Sequence, residues 1–358
     1  MKVCMTAGGS GGHIFPAIAL ADACKAASMD VFFIGNREKM ESIEVPKAGY
    51  PFFMIANKEF AGSIWAKAGV MLGQITSLFK ALLILKRENP DLVIGFGGYV
   101  TVPVVLSAKL LRIPILLHEQ NAVAGKANAF LSRFADGIAV CYPNTQIGSN
   151  HPDVRLIGNP RASVAMKLVP DKNLIREIGL LSDKKTALIV MGSLGSVSVN
   201  QILKRFVSLA KVSEHQYIIA TGRKHYGAFV EGLTLSDNVA VIDFVDQVGL
   251  LSQIDLLIAR GGATSAAEML AKGVASIIIP SPYVPNDHQR HNALALVEGG
   301  ASLCIEEKDL TEQRLFEAAE QLLKNDVLRQ RMAMSAKALG FPDALDRMVG
   351  WVHEFDRK

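Results

Sequence analysis

The chain alternates short apolar runs rich in β-branched residues with longer stretches of helical periodicity. Strands that alternate with helices predict a parallel sheet covered by helices on both faces. In the first half the predicted strands are Val3–Thr6, Val31–Ile34, Leu92–Gly95, Ile115–His118, Ile138–Cys141 and Val154–Ile157. The predicted helices between them are Phe15–Ala27, Ile64–Arg87, Val102–Leu111 and Ala124–Phe134.

The same pattern restarts after residues 159–183, where Pro160 and Pro170 interrupt the periodicity. The second set of strands is Thr186–Met191, Tyr217–Thr221, Val239–Ile242, Leu256–Ala259, Ser276–Pro280 and Ala301–Ile305, with a helix from about Val199. We therefore predict an α/β fold with two doubly wound, Rossmann-like domains that face each other across a cleft. The domains are expected at 1–160 and 161–340, with a C-terminal helix at 341–358 that packs back on the first domain. Such sheets bind ligands at the carboxyl ends of their strands.

Composition is typical of a globular two-domain protein and does not indicate a nucleic-acid-binding protein. A chain of 358 residues that is 50% apolar can bury the cores of two domains. Its four cysteines show no CxxC pair, which is typical of reduced thiols in the cytoplasm. The net charge of +4 is too small to indicate a nucleic-acid partner.

No leader and no membrane span are predicted. The first residues run directly into a strand and a glycine loop, so we expect no secretory signal. The most apolar stretch, Ile64–Leu85, is interrupted by Lys67, Gln74 and Lys80, and it falls short of the roughly 18 uninterrupted apolar residues that a span needs.

A glycine-rich loop, GGSGGH at residues 8–13, follows the first predicted strand. Glycines allow main-chain amides to approach an anion at a helix N-terminus. The spacing is neither GxGxxG nor that of a P-loop, and a tight turn without a ligand remains the alternative. His13 favours a functional site, because it places a titratable imidazole at the mouth of the loop.

Two more clusters follow strands of the first half. The glycines of GFGGY (residues 95–99) either bind a ligand or permit close packing. His118, Glu119, Gln120 and Asn121 end a buried strand, where polar side chains are unfavourable unless they meet partners or a ligand. A metal site at His118 and Glu119 is disfavoured, because neighbouring residues of a strand point to opposite sides.

In the second half, residues 260–268 follow a strand and open a helix, which predicts a diphosphate site. Glu268 lies about one turn further on, where it could accept hydrogen bonds from ribose hydroxyls or merely complement the helix dipole. Residues 286–292 bring together polar groups suited to a sugar. No Asp-x-Asp pair is present, so we predict no metal and expect helix N-termini, with Arg260 or another basic group, to stabilise a leaving diphosphate.

Taken in order, these blocks resemble the bacterial peptidoglycan N-acetylglucosaminyltransferases over essentially the whole chain. The matching strings are 8–13, 97–100, 118–121, 158–160, 192–193, 262–268 and 287–292, and His118-Glu119-Gln120-Asn121 is the most family-specific. The resemblance implies a GT-B fold and UDP-N-acetylglucosamine bound by the C-terminal domain. It also implies a lipid-linked acceptor, lipid I, at the N-terminal domain, lipid II as product, and no cofactor. The enzyme would be a peripheral protein on the cytoplasmic face of the cell membrane and would contact an anionic membrane surface.

The resemblance also implies roles for individual residues. His13 would be the general base, with Glu119 as second choice. The implied substrate contacts are Ser10, Gly11, Gly12 and Asn121 near the sugar and acceptor, Ser193 at the diphosphate, Val245 at uracil, Ala263, Thr264, Ser265, Ala266 and Ala267 around phosphate, Glu268 at the ribose and Gln289 at the sugar hydroxyls. Arg161 is a further substrate contact, although it follows Pro160 directly, where the family usually has another small residue first.

The reaction expected is an inverting displacement on the anomeric carbon. Two questions stay open at this level. Ile64–Arg87 is either a membrane-docking helix with a basic rim or a helix of the core. The alternatives for function are a related GT-B transferase with another UDP-sugar or lipid acceptor, and a UDP-sugar epimerase-like protein.

Overall fold

The structure is a computed structural model that describes residues 1–56, 64–148, 150–169, 171, 173–192 and 195–356, with side chains from residue 73 onward in the helix that begins at Ile64. The chain divides into two compact units. The first comprises Met1–Arg161 and the residues from Asp343 onward, and the second comprises Ala162–Pro342.

The first unit is built on a seven-stranded parallel sheet with the order β3-β2-β1-β4-β5-β6-β7. Its strands are β1 (Lys2–Thr6), β2 (Asp30–Asn36), β3 (Phe52–Ile55), β4 (Leu92–Gly95), β5 (Ile115–Glu119), β6 (Gly137–Val140) and β7 (Val154–Leu156). Its helices are α1 (Gly11–Ala26), α2 (Glu41–Lys47), α3 (Ile64–Glu88), α4 (Thr101–Leu110) and α5 (Lys126–Leu131). The central strands β4 and β5 are buried along their whole length, as expected for a parallel sheet covered on both faces.

The second unit has a six-stranded parallel sheet with the order β10-β9-β8-β11-β12-β13. Its strands are β8 (Thr186–Val190), β9 (Gln216–Ala220), β10 (Val239–Ile242), β11 (Leu256–Ala259), β12 (Ala275–Ile278) and β13 (Ser302–Cys304). The helices from the boundary onward are α6 (Pro160–Lys167), α7 (Leu174–Glu177), α8 (Val197–Ala210), α9 (Tyr226–Val230), α10 (Gln247–Leu250), α11 (Ala263–Lys272), α12 (His288–Glu298), α13 (Glu312–Lys324) and α14 (Asp326–Leu339).

Both sheets reverse their strand order beside the first strand, between β1 and β4 and between β8 and β11. At such a switch point the loops that leave neighbouring strands diverge and open a crevice at the carboxyl edge. The prediction of two doubly wound, Rossmann-like sheets is confirmed, and the glycine-rich loops of the sequence all leave these central strands.

The last helix, α15 (Ala344–His353), belongs to the first unit. The Trp351 ring packs against Gly137, where a Cβ would lie 2.3 Å from the indole. The Arg155 guanidinium lies 4.3 Å from the Trp351 ring centroid and pairs with Glu354 at 2.7 Å. Glycine in β6 therefore gives the indole room to reach the sheet.

The structure differs from the predicted elements in several places. The helix α1 begins at Gly11, so the glycine loop itself forms the first helical turn and Pro16 lies inside the helix. The edge strand β3 (Phe52–Ile55) was missed, because four residues with only one of them buried give no strong period. The connection at 159–183 contains the short helices α6 and α7. None of the described helices is long and apolar enough to cross a membrane.

Candidate active site

The two glycine loops of the first unit contact each other at the ends of β1 and β4. The Gly8 amide donates to the Gly97 carbonyl at 3.2 Å. Gly98 has φ +87°, and a Cβ there would lie 2.4 Å from the Gly8 oxygen. A side chain at Gly98 would be strained in its backbone and would force the loops apart, so this glycine fixes their approach.

His13 lies in the first turn of α1 beside both loops. Its Nδ1 is 2.9 Å from the Gly8 carbonyl oxygen, a contact in which only a protonated Nδ1 can donate. The other ring nitrogen, Nε2, then carries the lone pair in the neutral imidazole. A Cβ on Gly97 would lie 3.1 Å from Nε2, so this nitrogen faces the second glycine loop. The tautomer is the one that a general base requires.

Glu119, at the end of β5, is a buried carboxylate with 2% of its surface exposed. Its Oε1 accepts from the main-chain and side-chain amides of Asn121 at 3.0 and 3.1 Å. Its Oε2 accepts from the Gly125 amide at 3.1 Å and from Nδ2 of Asn128 at 2.9 Å. Four donors thus occupy the two oxygens and fix the loop that follows β5.

A second buried carboxylate, Glu41, was missed by sequence reasoning. It is 1% exposed at the start of α2. Its oxygens accept from the Gly9 amide at 3.3 Å and the Asn36 amide at 3.2 Å. Glu41 therefore holds the first glycine loop against the end of β2. The only signal in the sequence is an acidic residue shortly after a strand, which is too common to stand out.

Buried polar atoms that have no hydrogen-bond partner within the described part of the chain lie at the same edge of the first sheet. They are Thr6 Oγ1, His118 Nδ1, Gln120 Oε1, Asn128 Oδ1 and Asn159 Nδ2. His118 donates through Nε2 to the Gly158 carbonyl at 3.0 Å, and burial lowers the pKa of its ring to about 4. Unsatisfied buried groups are rare in folded proteins and often mark functional sites. Three of these five, on His118, Gln120 and Asn159, lie in the strings 118–121 and 158–160 of the sequence analysis.

The second unit contains a pocket of about 320 Å³ at the carboxyl edge of its sheet. Its walls come from the ends of β8 and β11 and from the loop after β12. The lining residues are Val190, Met191, Gly192, Gly195, Ser196, Arg260, Gly262, Ser265, Ser281, Tyr283 and Gln289. Tyr283 stands at this pocket with 81% of its surface exposed.

The helix α11 starts at this pocket. Its N-cap residue is Gly262, which has no side chain to bond the first-turn amides. The buried Thr264 Oγ1 and Gln247 Nε2 also have no hydrogen-bond partner among the residues that the structure describes. Uncapped amides at a helix start attract anions, and here they open beside Ser265 on the pocket wall.

Two side chains of α12 fix the pocket loops. Gln289 accepts the Ser281 amide through Oε1 at 2.9 Å, so its amide hydrogens are what it can offer a ligand. Asn292 donates to the Gly261 carbonyl at 2.9 Å. A Cβ on Gly261 would lie 2.3 Å from the Gln289 carbonyl oxygen, so glycine is required for this close approach.

Arg260, which the sequence analysis offers as a cation for a leaving diphosphate, lines the pocket and also forms a buried ion pair. Its Nη1 lies 2.6 Å from Glu307 Oε2, and both side chains are 9% exposed. The guanidinium also donates to the Ile279 carbonyl at 3.1 Å and to Ser196 Oγ at 2.8 Å. Its charge is therefore already shared with a buried carboxylate at the pocket wall.

The predicted site residues fall into two groups. Ser10, Gly11, Gly12, His13, Glu119 and Asn121 lie at the carboxyl edge of the first sheet. In the second unit, Ser265 and Gln289 line the pocket, while Ala263–Ala267 form the first turns of α11 with Glu268, which is 4% exposed. Val245 lies between β10 and α10 and is not a lining residue. Arg161 sits in α6 with its amide bonded to Asn159, and Ser193 lies outside the described residues.

Comparison with known proteins identifies the family. The models of the glycosyltransferase family 28 N-terminal and C-terminal domains match residues 3–140 and 186–348. The chain is 38% identical over 99% of both chains to the UDP-N-acetylglucosamine–N-acetylmuramyl-(pentapeptide) pyrophosphoryl-undecaprenol N-acetylglucosamine transferase of an Exiguobacterium species. The chain belongs to the MurG family of glycosyltransferases.

The crystal structure of Acinetobacter baumannii MurG matches with a TM-score of 0.81 at 30% identity, over 99% of each chain. A UDP-GlcNAc 2-epimerase from Neisseria meningitidis matches with a TM-score of 0.70 at 15% identity, over 99% of this chain and 100% of its own. At that identity only the fold is shared. The resemblance read from the sequence is confirmed, and MurG-family membership makes this chain a hexosyltransferase.

Several residues of the two candidate sites were not predicted. Glu41, Asn128 and Glu307 hold the loops through buried hydrogen bonds or an ion pair. Ser281 and Tyr283 line the pocket from a proline-rich loop. A single buried glutamate leaves no periodic or motif signal in the sequence. Tyr283, in contrast, lies between Pro282 and Pro285, and the two prolines predict a rigid, exposed loop.

Proposed function

We propose that this chain transfers N-acetylglucosamine from UDP-N-acetylglucosamine to lipid I, the undecaprenyl-pyrophosphoryl-N-acetylmuramoyl-pentapeptide, and forms lipid II. The proposal is carried by the 38% identity over 99% of the chain to a transferase of that name. The donor and acceptor come from that relative, and the roles of individual residues rest on the geometry of the two sites.

The donor is proposed to bind in the pocket of the second unit. The uncapped start of α11 offers main-chain amides to the diphosphate. Glu268, one turn further along α11, accepts hydrogen bonds from the ribose hydroxyls. Gln289 offers its amide hydrogens to hydroxyls of the sugar, because its oxygen is held by the Ser281 amide.

The acceptor is proposed to bind at the carboxyl edge of the first sheet, where His13 acts as the general base. Nε2 of His13 takes the proton of the acceptor hydroxyl while that oxygen forms a bond to the anomeric carbon. The bond from the anomeric carbon to the diphosphate oxygen breaks, UDP leaves with that electron pair, and the configuration at the anomeric carbon inverts. The Nδ1 contact to Gly8 orients the ring for this step.

Glu119 is proposed to position the site rather than to accept the proton. Both of its oxygens already accept hydrogen bonds from two donors each. A base needs an accessible lone pair within reach of the acceptor, and a carboxylate that is 2% exposed and fully bonded does not offer one.

Release of UDP on incubation with UDP-N-acetylglucosamine and a lipid I analogue tests the proposal. We expect release that depends on both substrates, with the disaccharide product seen by mass spectrometry. Faster turnover with another UDP-sugar or a diacylglycerol acceptor would favour a related transferase. Conversion of the donor to its 2-epimer without acceptor, followed by NMR, would favour the epimerase-like alternative.

We further propose that α3 attaches the enzyme to the membrane as a peripheral protein. Ile75, Phe79 and Leu83 recur every four residues and are 51%, 61% and 65% exposed. Lys80, Lys86 and Arg87 on the same helix are also exposed. An apolar stripe with neighbouring cations binds an anionic lipid surface through burial and charge.

The opposite face of α3 belongs to the core, where Ser77, Ala81, Ile84 and Leu85 are buried. Leu78 and Leu82 are partly buried, and the side chains of Lys67 and Met71 lie outside the described part of the chain. One face of α3 therefore packs in the core, and the docking proposal concerns its exposed face.

Co-sedimentation with liposomes that contain an anionic lipid tests the docking proposal. The double variant Phe79→Glu, Leu83→Glu should lose most binding. The matched control is Val212→Glu, Val327→Glu, which adds the same charge at residues of the second unit that are 85% and 79% exposed. Equal binding by both double variants would contradict the role of α3.

A further inference from the structure

The ion pair of Arg260 and Glu307 is part of a closed ring of polar groups at the donor pocket. Arg260 Nη2 donates to Ser196 Oγ at 2.8 Å, and Ser198 Oγ donates to Glu307 Oε1 at 2.6 Å. The two serine oxygens are 3.2 Å apart. Because Ser198 gives its hydrogen to the carboxylate, Ser196 must donate to Ser198, and every hydroxyl hydrogen of the ring has a defined direction.

The contact that closes the ring depends on charge. Glu307 Oε2 lies 2.6 Å from Arg260 Nη1, yet no described residue gives this oxygen a well-directed hydrogen bond. The Nη1 hydrogen bond runs to the Ile279 carbonyl instead. Both side chains are 9% exposed, so little solvent screens their attraction.

Arg260 and Ser196 line the pocket, whereas Glu307 stands behind them. A diphosphate in the pocket therefore meets a guanidinium whose charge is offset by a carboxylate on its other side. Removing one partner of a buried pair leaves the other uncompensated, and an anion in the pocket would then become its counter-charge.

We propose that Glu307 is a positioning residue that limits, through Arg260, how tightly the pocket holds the diphosphate of UDP. It keeps the guanidinium in place and withholds part of its charge, so that the product dissociates after transfer. This inference rests on the proposed function, because it takes UDP as the ligand.

The test is calorimetric titration of the full-length variant Glu307→Gln with UDP and with uridine. We expect UDP to bind about tenfold more tightly than to the wild type, and uridine, which lacks phosphate, to change by less than twofold. General damage to the second unit would weaken both ligands. Unchanged or weaker UDP binding in the folded variant overturns the proposal.

Glu306→Gln is the matched control. It removes the same charge from the neighbouring residue, whose partners are Arg290 and Lys308, and UDP affinity should stay within twofold. In a double-mutant cycle, the gain in UDP affinity from Glu307→Gln should vanish when it is combined with Arg260→Gln. A gain in affinity that persists in the double variant would contradict the role of Arg260.

If Glu307→Gln does not fold, Glu307→Asp applies the same test, because it withdraws the carboxylate from Nη1 and should tighten UDP at least twofold. Unchanged binding by that variant overturns the inference as well. If the wild type fails to bind UDP, the proposed function fails with it. If the wild type binds and only the tightening is missing, the inference alone fails.

Discussion

The two sheets carry a glycine turn and a helix start after their first strand, but they surround that turn with different charges. At the first sheet the described hydrogen bonds to the buried carboxylates Glu41 and Glu119 all come from neutral amides. At the second sheet the buried carboxylate Glu307 faces Arg260. The fold supplies the position, and the buried charges decide the chemistry.

This difference matches the proposed roles. At the first sheet, Glu41 and Glu119 fix the loops around the proposed base His13 through hydrogen bonds from amides. A guanidinium at the second pocket favours an anion, such as a leaving diphosphate. The comparison is therefore tested by variants that remove the base, a carboxylate or a ligand contact from one unit at a time.

The largest effect is expected for His13→Ala. Loss of a general base should lower kcat by about 1000-fold, while UDP affinity, which we attribute to the second unit in the proposed function, stays within twofold. Steady-state kinetics and UDP titration measure the two quantities.

His353→Ala is the control for His13, because it removes an exposed histidine from the same unit and should leave kcat unchanged. A kcat for His13→Ala within fivefold of the wild type would remove His13 as the base and reopen the first site.

The next effect is expected for Glu119→Gln. The variant places an amide group where an oxygen accepts two N–H donors, so it should lower the free energy of unfolding by about 3 kcal/mol. Denaturant unfolding measures the loss. Glu38→Gln, at an exposed residue, should change stability by less than about 0.5 kcal/mol. Normal stability with abolished turnover would instead make Glu119 a candidate base.

Acidification should destabilise the first unit at a higher pH than the second. Burial lowers the pKa of His118 to about 4, so the unfolded chain takes up a proton near pH 6.5 that the folded first unit refuses. The stability due to neutral His118 is present above pH 6.5 and is lost as the pH falls, by about 2 kcal/mol at pH 5.

The second unit contains a buried carboxyl group, Glu320, that loses its stabilising effect only at a lower pH than His118 does. Burial would raise the pKa of Glu320, but hydrogen bonds from Ser213, Tyr217, His215 and Lys324 outweigh it and lower the pKa to about 2. Its contribution is present above pH 4.5 and is lost only below that. Amide hydrogen exchange, corrected for intrinsic rates, should show β5 losing protection between pH 7 and pH 5 before β9 does. Equal loss in both strands would contradict this order.

The sequence predicts the sheets and most of the loops, but it does not predict the buried charged side chains that lie behind the loops. Strands such as Leu92–Gly95 and Leu256–Ala259 were located to the residue, because buried parallel strands are continuous apolar runs. The pairing of Arg260 with Glu307 joins residues 47 positions apart. Neither residue type nor spacing predicts that pairing, because it depends on how β13 is placed beside β12.

The smallest effect is expected for Glu268→Ala, which tests the one buried carboxylate proposed to meet the ligand. Loss of its hydrogen bonds to ribose should raise KM for the donor about tenfold, equivalent to about 1.4 kcal/mol, with little change in kcat. Glu214→Ala, an exposed site in the same unit, is the control. The wild type should prefer UDP to 2′-deoxy-UDP, and the variant should lose that preference. If the variant keeps the preference, Glu268 instead complements the helix dipole of α11, and other groups of the second unit contact the ribose.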